Sequence, residues 1–202
     1  GGKQTFNHML DSVFNVPPLF DDSYYGSVIH EIREMQIMNM GNYAHGNQPI
    51  QHMIYLYGYS GQPWKTQYWI RQTMQRMYNA NPDGYCGDED NGQTSAWYVF
   101  SAMGFYPVCP GAGEYVLGAP YFDEMTLHLE NGRTVSIKAN GNTDDNCYVN
   151  TLTLNGQPYS KNYIKRTDLM QGAQFVYTMS PTPNYSRGTA ESDAPYSFSK
   201  TK

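Results

Sequence analysis

Two stretches of this sequence concentrate residues able to do chemistry. The first, Asn81-Pro82-Asp83-Gly84-Tyr85-Cys86-Gly87-Asp88-Glu89-Asp90-Asn91-Gly92-Gln93, carries adjacent carboxylates, Asp88, Glu89 and Asp90, at the entry to an apolar helical segment. Like charges crowded into one turn suit general acid–base work, because they set the proton affinities of neighbouring groups apart. The second, Gly41-Asn42-Tyr43-Ala44-His45-Gly46-Asn47-Gln48-Pro49, offers His45, Asn47 and Gln48, with Gln51 and His52 just beyond. Amides and imidazoles donate and accept together, which suits a hydroxyl-rich ligand. Trp64, after Gly61-Gln62-Pro63, is a candidate platform for stacking a sugar.

Plainer readings stand beside each of these. One carboxylate can cap the helix that begins near Gln93, and for a single Asp that is the better bet. An EF-hand fits poorly, since Gly92 falls one place early and Val99 stands where the bidentate Glu belongs. The turn could also be a solvated acidic loop, but flanking Trp97, Tyr98 and Phe100 predict half-burial; a structural ion site of another geometry is the remaining reading. On the residues alone, catalysis and capping stand level. A lone histidine is more often structural, the reading held for His8, His30 and His128, while company lifts His45 and His52 above it. Packing is the commoner role for any one Trp. Gly-x-Gly-x-x-Gly, the Walker loop, His-Glu-x-x-His and Gly-x-Ser-x-Gly are all missing from the sequence.

The elements that must hold these loops follow from periodicity. Up to Pro107 the apolar residues recur at helical spacing: Phe6, Leu10, Val13 and Phe14; then Val28, Ile32 and Met35; then Ile50, Met53, Ile54 and Tyr57 behind Pro49; then Ile70, Met74, Met77 and Tyr78 behind Pro63. A fifth helix, Gln93 to Met103, is apolar nearly all round and ends at Gly104. These predict an antiparallel helical array. Past Pro107 the residues alternate. Met125–Glu130, Asn131-Gly132 and Arg133–Lys138 read as a hairpin with a type I′ turn, and Tyr148–Leu154, Asn155-Gly156 and Gln157–Tyr159 repeat the idea. Gln174–Met179 supplies another strand, and the tail from Pro181 is expected to be extended or loosely held.

Composition bounds the function. The 202 residues carry 13 Lys+Arg against 18 Asp+Glu, a net charge of −5, which argues against a binder of nucleic-acid phosphates. No stretch approaches a membrane span. Cys86, Cys109 and Cys147 match no zinc or disulfide pattern and read as small buried thiols. Gly1–Thr5 show neither an initiator Met nor a signal peptide, so the chain is expected to be processed or a piece of a longer one.

Gly46-Asn47-Gln48-Pro49, Tyr55-Leu56-Tyr57, Gly61-Gln62-Pro63-Trp64-Lys65-Thr66-Gln67, the run from Asp83 to Phe100, Gly104-Phe105-Tyr106-Pro107-Val108, Tyr115–Pro120, Leu154-Asn155-Gly156 and Ser180–Asn184 resemble, in this order, the C-terminal portion of glycoside hydrolase family 92, the exo-acting α-mannosidases of α-1,2-mannosidase type. The resemblance implies an α+β fold: C-terminal helices of an (α/α)6 toroid over residues 1–106, followed by an antiparallel β module over 107–202. It implies a Ca2+-dependent inverting hydrolase, secreted or periplasmic, that removes mannose from α-mannoside oligosaccharides such as N-glycan branches. Asp90, first, and Asp88 match the general base; Asn47, Gln48, His52, Trp64 and Glu89 are carried over as substrate-binding, and no metal ligand is assigned. An inverting site sets its two carboxyls ~6.5–9.5 Å apart to admit a water. The acid is expected upstream of Gly1, so the chain needs the N-terminal part of its own parent, and the fragment alone is expected to be inactive and prone to self-associate. One departure is visible: the loop that usually reads Gly-Asn-Glu-Pro has Gln48 here. The alternative is a non-catalytic carbohydrate-binding or structural fragment.

Overall fold

The computed structural model describes residues 1–17 and 20–198. The fold is α+β, and the chain forms two compact units that interleave along the sequence: Gly1–Met53 with Gln72–Tyr98, and Ile54–Arg71 with Val99–Lys202.

The first unit opens with α1 (Lys3–Asn15), which buries Leu10 and Phe14 at the spacing expected of one helical face. Phe6, from the same stripe, stays 37% exposed. Helix α2 (His30–Met38) buries Ile32 and stops at Asn39, whose left-handed φ of 51° ends the helical run. The remaining helices, α3 (Pro63–Met77) and α4 (Gln93–Met103), are divided between the units. In α3 the stripe of Ile70, Met74 and Met77 is buried as its spacing predicts. Gly104, at φ 91°, ends α4, where any side chain would strain the backbone.

The helix expected behind Pro49 is not an α-helix. Residues Gln48–Ile50 and Met53–Gly58 form separate 3-10 turns. The carbonyls that an α-helix would use are taken elsewhere: the Trp97 indole donates to Gln51 O at 3.0 Å, and Thr66 Oγ1 donates to Ile54 O at 2.9 Å. Gln51, Ile54, Tyr55 and Tyr57 are fully buried, so packing on every side overrides the local pattern.

The second unit carries two sheets. Strands β1 (Phe105–Tyr106), β2 (Glu114–Leu117) and β7 (Tyr163–Lys165) make a small antiparallel sheet that the sequence reading had not anticipated. The larger sheet runs β3 (Glu124–His128), β4 (Thr134–Asn140), β8 (Ala173–Ser180), β5 (Tyr148–Leu154), β6 (Gln157–Pro158). It is mixed rather than antiparallel, because β4 and β8 pair in parallel. Ala173, Phe175, Tyr177 and Met179 of β8 face the core at alternate positions and join Val135, Ile137, Val149 and Leu152. The short α5 (Arg166–Leu169) links β7 to β8.

Turn chemistry exchanged places between the two hairpins. Asn155 and Gly156, at φ 52° and 77°, form the two-residue type I′ turn between β5 and β6. Between β3 and β4 only Gly132 is left-handed, at φ 78°, while Leu129 N–H bonds Arg133 O and Gly132 N–H bonds Leu129 O. That is a three-residue loop with a bulge, not type I′. The tail, expected to be loose, is tied down: Asp193 is buried, its carboxylate accepts from Ser160 Oγ at 2.7 Å, and its carbonyl takes Asn162 N–H at 2.8 Å. Residues 199–202 of the expected β module lie outside the described residues. Cys86 and Cys147 are buried free thiols, whereas Cys109 is exposed, against the expectation for all three.

Candidate functional site

The two chemically suggestive loops meet within the first unit. Gly46 and Gly87 touch: a Cβ on Gly87 would lie 2.6 Å from Gly46 Cα, so neither position admits a larger residue without parting the loops. Beneath this contact lies an aromatic cluster built on His45. Its ring bridges Tyr43 Oη at 2.8 Å and Tyr78 Oη at 2.7 Å, and packs edge-on against Trp97 with centroids 4.2 Å apart. Burial pushes His45 down to about 3, so the ring is neutral and serves as a hydrogen-bonded spacer. The company expected to make His45 a ligand instead makes it a core residue.

The acidic turn is shaped by its backbone. Asp90, Asn91 and Gly92 are consecutively left-handed, with φ of 47°, 57° and 92°. For non-glycine residues such a conformation costs about 1–2 kcal/mol each, and Asp and Asn bear it best. Gln93 N–H bonds Asp90 O at 3.2 Å and Thr94 N–H bonds Glu89 O at 3.2 Å, so the turn leads directly into α4. Glu89 is half-buried and does the capping: Oε1 accepts from Ser95 N–H at 3.4 Å. Its Oε2 is buried and lacks a hydrogen-bond partner. Asp88 and Asp90 are exposed, not half-buried. The aromatic neighbours that prompted the expectation are spent on the helix, Trp97 packing against His45 and Tyr78.

Gln48 joins the turn through its side chain, donating from Nε2 to Asp88 O at 2.7 Å. Asn47 is exposed and His52 half-buried on the same stretch of chain. Trp64 belongs to the second unit, where its ring packs edge-on against Tyr185 at 5.1 Å.

The sequence reading missed a further cluster. On α2, His30 contacts Glu31 Oε1 at 3.3 Å and Glu34 Oε1 at 3.1 Å. The hydrogen bond to Glu34 raises the His30 pKa, with Glu31, Glu34 and Asp88 adding electrostatic support. Glu34 Oε2 is the atom that a Cβ on Gly46 would strike, and it lies 3.0 Å from a Cβ built on Gly87, so this carboxylate sits where the loops touch. It also helps burial hold the Cys86 thiol up, to about 12. The signal was legible as His30-Glu31-Ile32-Arg33-Glu34 at a helix start, charged groups one and four residues apart.

Among the described residues, no three His, Cys, Asp or Glu side chains converge as a metal ion would need, and no helix is long and apolar enough to cross a membrane.

Comparison with known proteins shows what the chain is similar to. Residues 1–181 match the glycosyl hydrolase family 92 catalytic domain. A family GH92 inverting mannosidase from Bacteroides thetaiotaomicron VPI-5482 is 54% identical, with a TM-score of 0.84 over 98% of this chain and 27% of its own. A family GH92 α-mannosidase from Bacteroides thetaiotaomicron, solved in complex with mannoimidazole, is 37% identical, with a TM-score of 0.87 over 98% of this chain and 25% of its own. A curated protein named as an uncharacterized secreted glycosidase, from Arthroderma benhamiae, is 30% identical over 157 residues, 76% of this chain. The chain spans 20% of that relative's length and about a quarter of the solved mannosidases.

Proposed function

Because the chain belongs to glycosyl hydrolase family 92, we propose that it forms the general-base side of an inverting exo-α-mannosidase acting on α-linked mannose of the N-glycan type. Asp90 takes the proton of the water that attacks the anomeric carbon. Asp88, two residues away on the same turn, holds that water or its charge. Glu89 caps α4 through Oε1 and so fixes the turn that carries both. Asn47, His52 and the His30–Glu31 pair provide further hydroxyl partners. The acid that protonates the leaving oxygen comes from another part of the full-length protein, at the wider separation that inversion requires. The protein works outside the cytoplasm, in keeping with the secreted glycosidase among its relatives.

The observation that carries this reading is the acidic turn itself: its backbone is strained into left-handed conformations at Asp90 and Asn91, and strain of this kind is retained where geometry has a use. Ca2+ is implied by the family resemblance and takes six to eight oxygens, from carboxylates, carbonyls and water. Among the described residues no group of three or more His, Cys, Asp or Glu is placed to hold it, so its ligands are not assigned to this stretch. No step is assigned to it.

The test is the product's configuration. The full-length protein incubated with an α-mannobiose should release mannose first as the β-anomer in time-resolved proton NMR. Release of the α-anomer, or no release, refutes the proposal. The exposure of Asp88 and Asp90 favours a second reading for the chain by itself, sugar binding without hydrolysis. Calorimetry with mannose and mannobiose separates that from a chain that binds nothing.

A further inference from the structure

Thr94 is fully buried at the start of α4, and its hydroxyl has a complete set of partners. A threonine hydroxyl has one proton to give and room for two donors. Gln48 Nε2 lies 3.3 Å from Thr94 Oγ1 and Gln51 Nε2 lies 3.4 Å from it. Both are amide N–H groups, so both donate and fill the oxygen's acceptor sites. The hydroxyl proton is therefore free to go only to the remaining neighbour, Asp88 O, at 2.8 Å. Gln48 Nε2 approaches that same carbonyl at 2.7 Å. Asp88 O thus receives two donors and is held from both.

The supports behind this are themselves fixed. Gln51 is fully buried, its Nε2 also donates to His45 O at 3.2 Å, its Oε1 accepts from Gln93 Nε2 at 3.2 Å, and its own carbonyl takes the Trp97 indole. The pinned carbonyl lies two residues before Asp90, where the chain turns left-handed for consecutive residues. Such a turn persists only when its surroundings over-determine it.

We infer that Gln48 and Thr94 are positioning residues: together they latch the Asp88 carbonyl and so hold the strained turn that presents Asp90. Gln48 then acts through the protein backbone rather than on sugar. A glutamate at this place would have no N–H to give, so this form of the latch belongs to the amide that distinguishes Gln48 from the loop it resembles. The inference rests on the reading of Asp90 as the general base.

The test uses Gln48→Ala, Thr94→Val and Thr94→Ser, each in this chain and in the full-length protein. In the chain, amide hydrogen exchange at Gln93 and Ser95, whose N–H groups bond Asp90 O and Glu89 Oε1, should quicken about tenfold in Thr94→Val and Gln48→Ala and stay unchanged in Thr94→Ser, which keeps the hydroxyl. In the full-length protein, kcat on an α-mannobiose should fall about tenfold in the first two with KM unchanged, and Thr94→Ser should restore it. Unchanged exchange and kcat in both Thr94→Val and Gln48→Ala overturn the latch. So does a Thr94→Ser variant as impaired as Thr94→Val, which would assign the effect to methyl packing. If Thr94→Val fails to fold, Gln48→Ala, at a partly exposed position, decides by the same readouts. Should Asp90→Asn leave turnover intact, the base assignment falls, while the exchange data still judge the latch.

Discussion

Lowering the pH tests the aromatic centre beneath the loops. Burial holds His45 down to about 3 from an ordinary 6.5. The unfolded chain takes up a proton at this residue near pH 6.5, and the folded chain does not. A group buried neutral in this way contributes its full stability above the unfolded value, and the contribution drains as the pH falls towards the folded value. Each pH unit removes about 1.4 kcal/mol, so lowering the pH from 6.5 to 5 costs about 2 kcal/mol. His30 works in the opposite sense: its raised pKa stabilises the fold below the ordinary value and fades as the pH rises through the folded one. With its side chain 65% exposed, solvent screens most of that effect. The assay is urea unfolding at pH 7 and pH 5, followed by tryptophan fluorescence, to which Trp97, with its ring 4.2 Å from His45, contributes. The wild-type chain should lose about 2 kcal/mol, and His45→Gln, though weaker at pH 7, should lack that loss. An equal pH dependence in both, or a His45 proton resonance that titrates near 6.5, would refute the reasoning.

Other outcomes follow from single features. Gly156→Ala, at φ 77° in the type I′ turn, should destabilise the β5–β6 hairpin by about 1–2 kcal/mol, read as a lowered Tm; an unchanged Tm would show that the turn relaxes. Adding Ca2+ to the isolated chain should not move its Tm, because no three-ligand cluster exists among the described residues; a concentration-dependent rise would reveal a site. Phe6, Met9, Val28 and Ile37 are 37%, 61%, 46% and 68% exposed in the first unit. Apolar groups left in water in this number favour association, so light scattering should show mass rising with concentration, and a monomer throughout would contradict that.

How far the sequence could be read depended on where each element's hydrogen bonds and burial come from. Helices α1 and α3 bury one stripe each, so their spacing was informative; Gly104 marked the end of α4 by backbone conformation alone. The 48–58 stretch carried the same apolar spacing, yet its carbonyls bond to Trp97 and Thr66, residues far along the chain. No local pattern encodes that. The parallel pairing of β4 with β8 is hidden for the same reason: Val135 pairs with Ala173, far along the chain and beyond the intervening strands. Strands of two to four residues such as β1 and β2 are too short for an alternation to register. In the site, the carboxylates and Gln48 were visible by residue type. Their roles were not: the hold on Asp88 O joins atoms from separate loops, and which of the three carboxylates caps α4 depends on the conformation of the turn. His30 was passed over because it was weighed singly rather than with Glu34, its partner four residues on.

The most direct measurement is turnover of an α-mannobiose by the full-length protein carrying Asp90→Asn. Asparagine tolerates the left-handed backbone at this position, so the turn and the circular dichroism of the helices should be preserved while the proton acceptor is lost. The account predicts a fall in kcat of about 100-fold or more with the fold intact. Turnover within a few-fold of wild type would contradict it.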